Sequence, residues 1–164
     1  MSKTEKNLKE AFAGESQANR KYLAFAKKAE KEGYSQVAKL FRAAAAAETV
    51  HAHNHLRELD GIRSTKENLE EAITGESFEF KEMYPQMIRE AEDEGNKKAL
   101  RSFNFANEVE STHAELYIKA LENLGKNEET DYYVCEICGH TAEGDAPDKC
   151  PVCGAVKKMF TKID

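Results

Sequence analysis

Ionisable side chains interrupt the apolar stripe of four successive helical segments, and they do so in a repeated pattern. The pattern is Glu15 with Glu48-x-x-His51, then Glu76 with Glu110-x-x-His113. Glu15 and Glu48 lie 33 residues apart, and Glu76 and Glu110 lie 34 apart. A carboxylate at a core position is costly unless something neutralises it. Four carboxylates and two imidazoles brought together in this way call for a pair of metal ions. The chain is thereby constrained to a helical bundle that closes around them.

The helical part breaks at Glu32-Gly33, Asp60-Gly61, Glu94-Gly95 and Leu124-Gly125, where glycine can end a helix. Between the breaks, apolar residues recur in alternating steps of three and four. The stripes run Leu8, Ala11, Glu15, Ala18, Tyr22, Phe25, Ala29; Val37, Phe41, Ala44, Glu48, His51, His55, Leu59; Leu69, Ala72, Glu76, Glu79, Met83, Met87; and Phe103, Ala106, Glu110, His113, Tyr117, Ala120, Leu124. For one helix, an acid facing solvent and a stripe misassigned by one residue would be the simpler account. Four helices with acids at matching positions make that account improbable. Pro85 falls inside the third helix and is expected to kink it. The alanine run over residues 43–47 is expected to mark close helix packing.

The halves also align outside the acids. Gly14-Glu15-Ser16 matches Gly75-Glu76-Ser77, and Ala29-Glu30-Lys31-Glu32-Gly33 matches Ala91-Glu92-Asp93-Glu94-Gly95. An internal repeat of helix pairs would build the site with approximate twofold symmetry. Glu79, one turn after Glu76, breaks it by falling opposite Ala18.

In Glu-x-x-His the two side chains share one helix face and can bind one region of space. Two such helices with two single glutamates are the ligand set of ferritin-like di-iron or di-manganese carboxylate bundles. Hard oxygen donors with a minority of nitrogen suit iron or manganese better than softer metals. Glu79 would give one metal a choice between an extra carboxylate, favoured by ferric iron, and a histidine, favoured by ferrous iron. Tyr22, seven residues after Glu15 on the same stripe, is expected to bond a ligand carboxylate. Tyr84 and Tyr117 are weaker candidates for that role.

All four cysteines sit in the tail, as Cys135-x-x-Cys138-Gly139 and Cys150-x-x-Cys153-Gly154. Two such knuckles make a tetrahedral four-thiolate site, with the glycines letting the backbone turn its amides towards sulfur. A module this short needs its metal to fold. On spacing alone zinc and iron compete evenly. A redox-inert staple beside a redox site makes less sense than an electron donor, which favours iron. Cysteine pairs in a chain without a secretory signal favour metal over disulfides. The composition shift places the boundary near residues 127–131, giving a helical domain at 1–128 and a metal-binding tail at 129–164.

The formal charge is −6 with no basic cluster, so nucleic acid is not an expected partner. Residues 1–10 are polar and lysine-rich, without the apolar core of a signal peptide, and no apolar run approaches a membrane span.

Together the carboxylate–histidine pattern, Glu76-x-x-Glu79 and the cysteine knuckles resemble the rubrerythrin family over nearly the whole chain. The resemblance implies an all-α ferritin-like four-helix bundle followed by a small rubredoxin-like β/loop domain. It implies two non-haem irons held by Glu15, Glu48, His51, Glu76, Glu79, Glu110 and His113, and one iron held by Cys135, Cys138, Cys150 and Cys153. Manganese, or iron mixed with zinc, stays open as the metal loaded. It implies a cytoplasmic peroxidase that reduces hydrogen peroxide to water in oxidative-stress defence. Electrons would come from NAD(P)H through rubredoxin or a separate reductase, by way of the tail. In that scheme one iron moves between His51 and Glu79, so Glu79, His51 and Tyr22 are the expected catalytic residues. The alternative is a ferroxidase or iron-handling protein, which needs the bundle but not the thiolates.

One departure concerns topology. Ferritin-like bundles join helices two and three by a long crossover, whereas about seven residues separate them here and span about 25 Å at most. The site lies roughly 18 Å from the end of helix two and roughly 15 Å from the start of helix three. If those helices run parallel, the link is too short within one chain. A homodimer that exchanges helix pairs is therefore expected.

Overall fold

The computed structural model describes residues 1–164. The chain forms two compact units, Met1–Arg63 and Ser64–Asp164. The first is a helical hairpin of α1 (Lys3–Lys31) and α2 (Ser35–Glu58). The second carries α3 (Thr65–Phe78), a π-helical turn (Glu79–Met83), α4 (Tyr84–Asp93), α5 (Lys97–Glu122) and a small sheet.

Local chemistry sets the helix ends. The Ser2 hydroxyl accepts from the Glu5 N–H, and the Asn96 side chain accepts from the Ala99 N–H. Ser64 and Glu67 form a reciprocal capping box at the start of α3. Gly33 and Gly95 take the left-handed conformation just past α1 and α4. At the second break it is Asp60 (φ 53°) that turns left-handed, not the glycine after it. Gly61 lies close against Leu56, where an added Cβ would press on the leucine side chain and come within 3.1 Å of its carbonyl oxygen.

In the hairpin the buried residues are Ala26, Ala29, Ala38, Ala45 and Ala52. On α2 these alanines fall seven residues apart, the spacing of a coiled-coil seam, so the two backbones approach closely. Asn19 Nδ2 on α1 bridges across, donating to the Ala45 carbonyl (2.7 Å) and Thr49 Oγ1 (2.8 Å). The expected close packing of the alanine run is therefore met at Ala45. The expected stripes differ. Phe25 and Val37 are 48% and 46% exposed, and no acidic side chain is buried. Two helices alone cannot enclose the stripe beside their seam; that requires a second layer.

In the second unit α3 and α4 both pack on α5. Beyond α5, β1 (Tyr132–Cys135), β2 (Thr141–Glu143) and β3 (Phe160–Ile163) form an antiparallel sheet in the order β2-β1-β3. A 3-10 turn at Lys157–Met159 leads into β3. No helix is long and apolar enough to cross a membrane.

Candidate metal centres

Three groups of side chains bring donor atoms within 4.8 Å of one another: Glu15, Glu48 and His51; Glu76, Glu110 and His113; and the four cysteines. The first two are built alike. In each Glu-x-x-His the histidine Nδ1 lies 2.8 Å from the carboxylate three residues earlier, Glu48 or Glu110. The same nitrogen lies 3.9 Å from the single glutamate on the other helix, Glu15 or Glu76. Nδ1 is therefore the nitrogen turned into each cluster. This is the i, i+3 geometry that the spacing predicts.

The second group carries the clearer electrostatic signature. Burial, hydrogen bonding to Glu110 and the negative charges of Glu110 and Glu79 raise the pKa of Glu76 from 4.5 to about 7. Burial and the Glu110 charge raise that of Glu79 as well, against the pull of His113. Glu79 thus adjoins the group without sharing its tight donor set. Carboxylates crowded until they resist ionising are the environment that a divalent cation relieves.

Pro85 does not simply bend the third helix. The chain passes from α3 through the π-helical turn into α4, with the Tyr84 N–H reaching back to the Glu79 carbonyl. Pro85 supplies no N–H, and its ring crowds the carbonyl four residues earlier, at Lys81 inside the turn. A π turn holds one residue more than the α-helix it replaces. The repeat displays that residue. Ala29 follows Glu15 by 14 positions, while Ala91 follows Glu76 by 15. From Gly33 to Glu48 and from Gly95 to Glu110 the count is 15 in both halves. The difference between the 33- and 34-residue spacings therefore falls in the stretch that contains the π turn, which ends two residues before Pro85.

The three tyrosines have different neighbours. Tyr22 sits in an aromatic cluster with Phe25 and Phe41, its ring centroid 6.4 and 6.1 Å from theirs. Tyr84 and Tyr117 lie beside acids of the second group. Burial first, then the charges of Glu79, Glu110 and Glu76, raise the Tyr84 pKa, and burial with Glu76 and Glu110 raises that of Tyr117.

In the tail, Cys135 Sγ lies 3.6 Å from Cys153 Sγ, and Cys138 Sγ lies 3.5 Å from Cys150 Sγ. A disulfide would put them near ~2.05 Å. A tetrahedral metal with bonds of about 2.3 Å sets its sulfurs about 3.8 Å apart. The four thiols are free, and their spacing fits the metal cage. Burial opposes ionisation of Cys135, but N–H groups of Cys138 and Ile137 and the Cys153 and Cys138 thiols outweigh it and lower its pKa. Burial pushes the Cys138 and Cys153 thiols up, although N–H groups of His140 and Ala155 point at them. The turns thus aim amides at sulfur, as the glycine positions suggest.

The tail is held on α5. The Thr141 hydroxyl lies 3.0 Å from His113 Nε2, Glu143 pairs with Lys119, and Gly139 comes against Val109. The sequence carries no evident signal for these contacts.

The sequence model of the rubrerythrin family matches residues 6–121, and that of the rubredoxin-like domain of rubrerythrin matches residues 133–161. The chain belongs to the rubrerythrin family. Among its relatives, nigerythrin of Nitratidesulfovibrio vulgaris is 39% identical over 96% of this chain and 85% of its own length. Rubrerythrin of Porphyromonas gingivalis is 36% identical over 97% and 89%. The structure of nigerythrin in a mixed-valence state aligns with a TM-score of 0.60 at 38% identity, covering 99% of this chain and 88% of that one. The rubrerythrin pattern of two irons plus an Fe(Cys)4 site fits the donors present: two carboxylate–histidine groups and one four-thiolate group.

Proposed function

We propose that the chain is a non-haem di-iron peroxidase that reduces hydrogen peroxide to water with electrons delivered through its own Fe(Cys)4 site. The observation that carries this reading is the contact between the two kinds of centre: Thr141 of the tail on His113 of the carboxylate cluster. An iron store has no use for a thiolate module seated there. NAD(P)H, acting through rubredoxin or a separate reductase, is the external electron source. Four free thiols agree with a cytoplasmic location.

Bound iron would supply the two electrons that, with two protons, convert peroxide to two waters. The residues divide that work. Glu15, Glu48, Glu76 and Glu110 would hold and neutralise the cations, with His51 and His113 turning Nδ1 towards them. Glu79 would offer a carboxylate, suited to an oxidised iron, where the His51 imidazole would suit a reduced one. Tyr22 steadies a ligand carboxylate. In domain terms, residues 1–128 hold the di-iron site and 129–164 the electron-delivering iron.

The first helix pair carries Glu15, Glu48 and His51 and the second carries Glu76, Glu79, Glu110 and His113, so a complete di-iron site would draw on both. The link between α2 and α3 is residues 59–64, six residues that span about 20 Å extended. Leu40 and Val50, exposed at 68% and 56%, leave apolar surface on the first pair for a second layer to cover. Both features support a homodimer in which each first pair completes a bundle with the second pair of the other chain.

Mixing anaerobic diferrous protein with peroxide or with oxygen in a stopped-flow instrument tests the activity. Oxidation much faster by peroxide is expected. A preference for oxygen, with mineral forming, would replace the proposal by iron handling. Glu79→Ala should slow peroxide turnover while most of the iron stays bound.

A further inference from the structure

The two Glu-x-x-His histidines are equivalent in the repeat but not in their surroundings. His51 makes its contacts through Nδ1, to Glu48 and Glu15, and its side chain is 53% exposed. His113 makes the same Nδ1 contacts, to Glu110 and Glu76, and is half as exposed, at 27%. Its outer nitrogen, Nε2, meets Thr141 Oγ1 at 3.0 Å. The same hydroxyl lies 3.4 Å from the Gly139 carbonyl, next in sequence to the thiolate Cys138.

We propose that Thr141 is a positioning residue for His113: with a cation at Nδ1, its hydroxyl accepts from Nε2–H and fixes the orientation of the His113 ring. The proposal rests on the reading of Glu76, Glu110 and His113 as metal ligands. An imidazole that offers Nδ1 to a cation must carry its proton on Nε2 when neutral. An acceptor at Nε2 therefore selects that tautomer and locks the ring plane. Thr141 can accept there and still donate its own proton to the Gly139 carbonyl, which gives the hydroxyl a direction. Thr141 and Glu143 lie two apart on β2 and so point to one face of the strand; Glu143 pairs with Lys119 of the same helix, α5. The strand is thus fastened at two points, and the hydroxyl cannot drift from the ring. In the first unit's hairpin His51 is held through Nδ1 alone.

The test compares wild type with Thr141→Val, which keeps the shape and removes the hydroxyl, and Thr141→Ser, which keeps the hydroxyl. Zinc-loaded, 15N-histidine-labelled full-length protein gives the His113 ring signals without paramagnetic broadening. In wild type and Thr141→Ser a slowly exchanging Nε2–H and a metal-bound Nδ1 are expected. In Thr141→Val that proton should exchange quickly, and metal affinity at the carboxylate site should fall about tenfold, as removal of an outer partner of a ligand does. The His51 signals should stay unchanged. An unchanged His113 proton and affinity in Thr141→Val would overturn the role of Thr141. Wild type in which neither histidine shifts on adding metal would instead overturn the ligand reading beneath it.

Discussion

At the scale of single residues, Glu76 is where the centre's electrostatics can be measured without metal. Its folded pKa stands above the ordinary 4.5, at about 7, because burial and the neighbouring Glu110 and Glu79 disfavour the charge. A carboxyl raised in the folded state costs nothing below its unfolded pKa, where it is neutral in both states. The cost grows as pH climbs from 4.5 to about 7 and is constant above that. Metal-free Glu76→Gln should therefore melt close to wild type at pH 4 and above it at pH 8. With iron present the order at pH 8 should reverse, because glutamine is a poor ligand and the cation has removed the repulsion. Thermal melts at the two pH values decide it, and a difference that ignores pH would mean the acids are not crowded.

At the scale of elements, the π turn at Glu79–Met83 is where the second half of the repeat departs from the first. The first half covers the equivalent stretch with one residue fewer, inside the unbroken helix α1. Deleting Lys81, an exposed residue within the turn, should turn the segment into plain α-helix with the helical circular dichroism kept. It should also shift Tyr84 and Pro85 relative to Glu79 and cost on the order of a hundredfold in peroxide turnover, as misplacement by about 1 Å can. Undiminished turnover would show that the turn accommodates Pro85 and nothing more. This element also marks the limit of what the sequence disclosed. The helix ends, the two Glu-x-x-His faces and the four-sulfur cage all rest on local rules, a few residues apart, and could be read directly. The extra residue was visible as 34 against 33, yet a count does not say where a helix absorbs it. The alanine seam at Ala38, Ala45 and Ala52 was hidden because larger neighbours gave a stronger stripe, and that stripe needs a second layer for its burial. The seat of Thr141 on His113 joins residues 28 apart across a linker, and no periodicity encodes such a contact.

At the scale of the whole molecule, the question is which chain completes which site. If the dimer exchanges helix pairs, each site would take Glu15, Glu48 and His51 from one chain and Glu76, Glu79, Glu110 and His113 from the other. Glu15→Ala and Glu76→Ala should each cripple every site when expressed alone. Co-expressed, they behave differently in the two architectures. A mixed dimer with exchange gathers both substitutions into one site and leaves the other with a full set of ligands. Random pairing makes about half of the dimers mixed, each with one intact site of two, so about a quarter of all sites should recover. Without exchange, every site keeps one substitution whichever chains pair, and nothing recovers. Peroxide turnover per iron in the co-expressed sample, with the mixed dimer isolated by two different affinity tags, distinguishes the cases. Recovery near the quarter level supports exchange; activity no higher than in the single variants rules it out, and the short link at residues 59–64 must then be spanned within one chain.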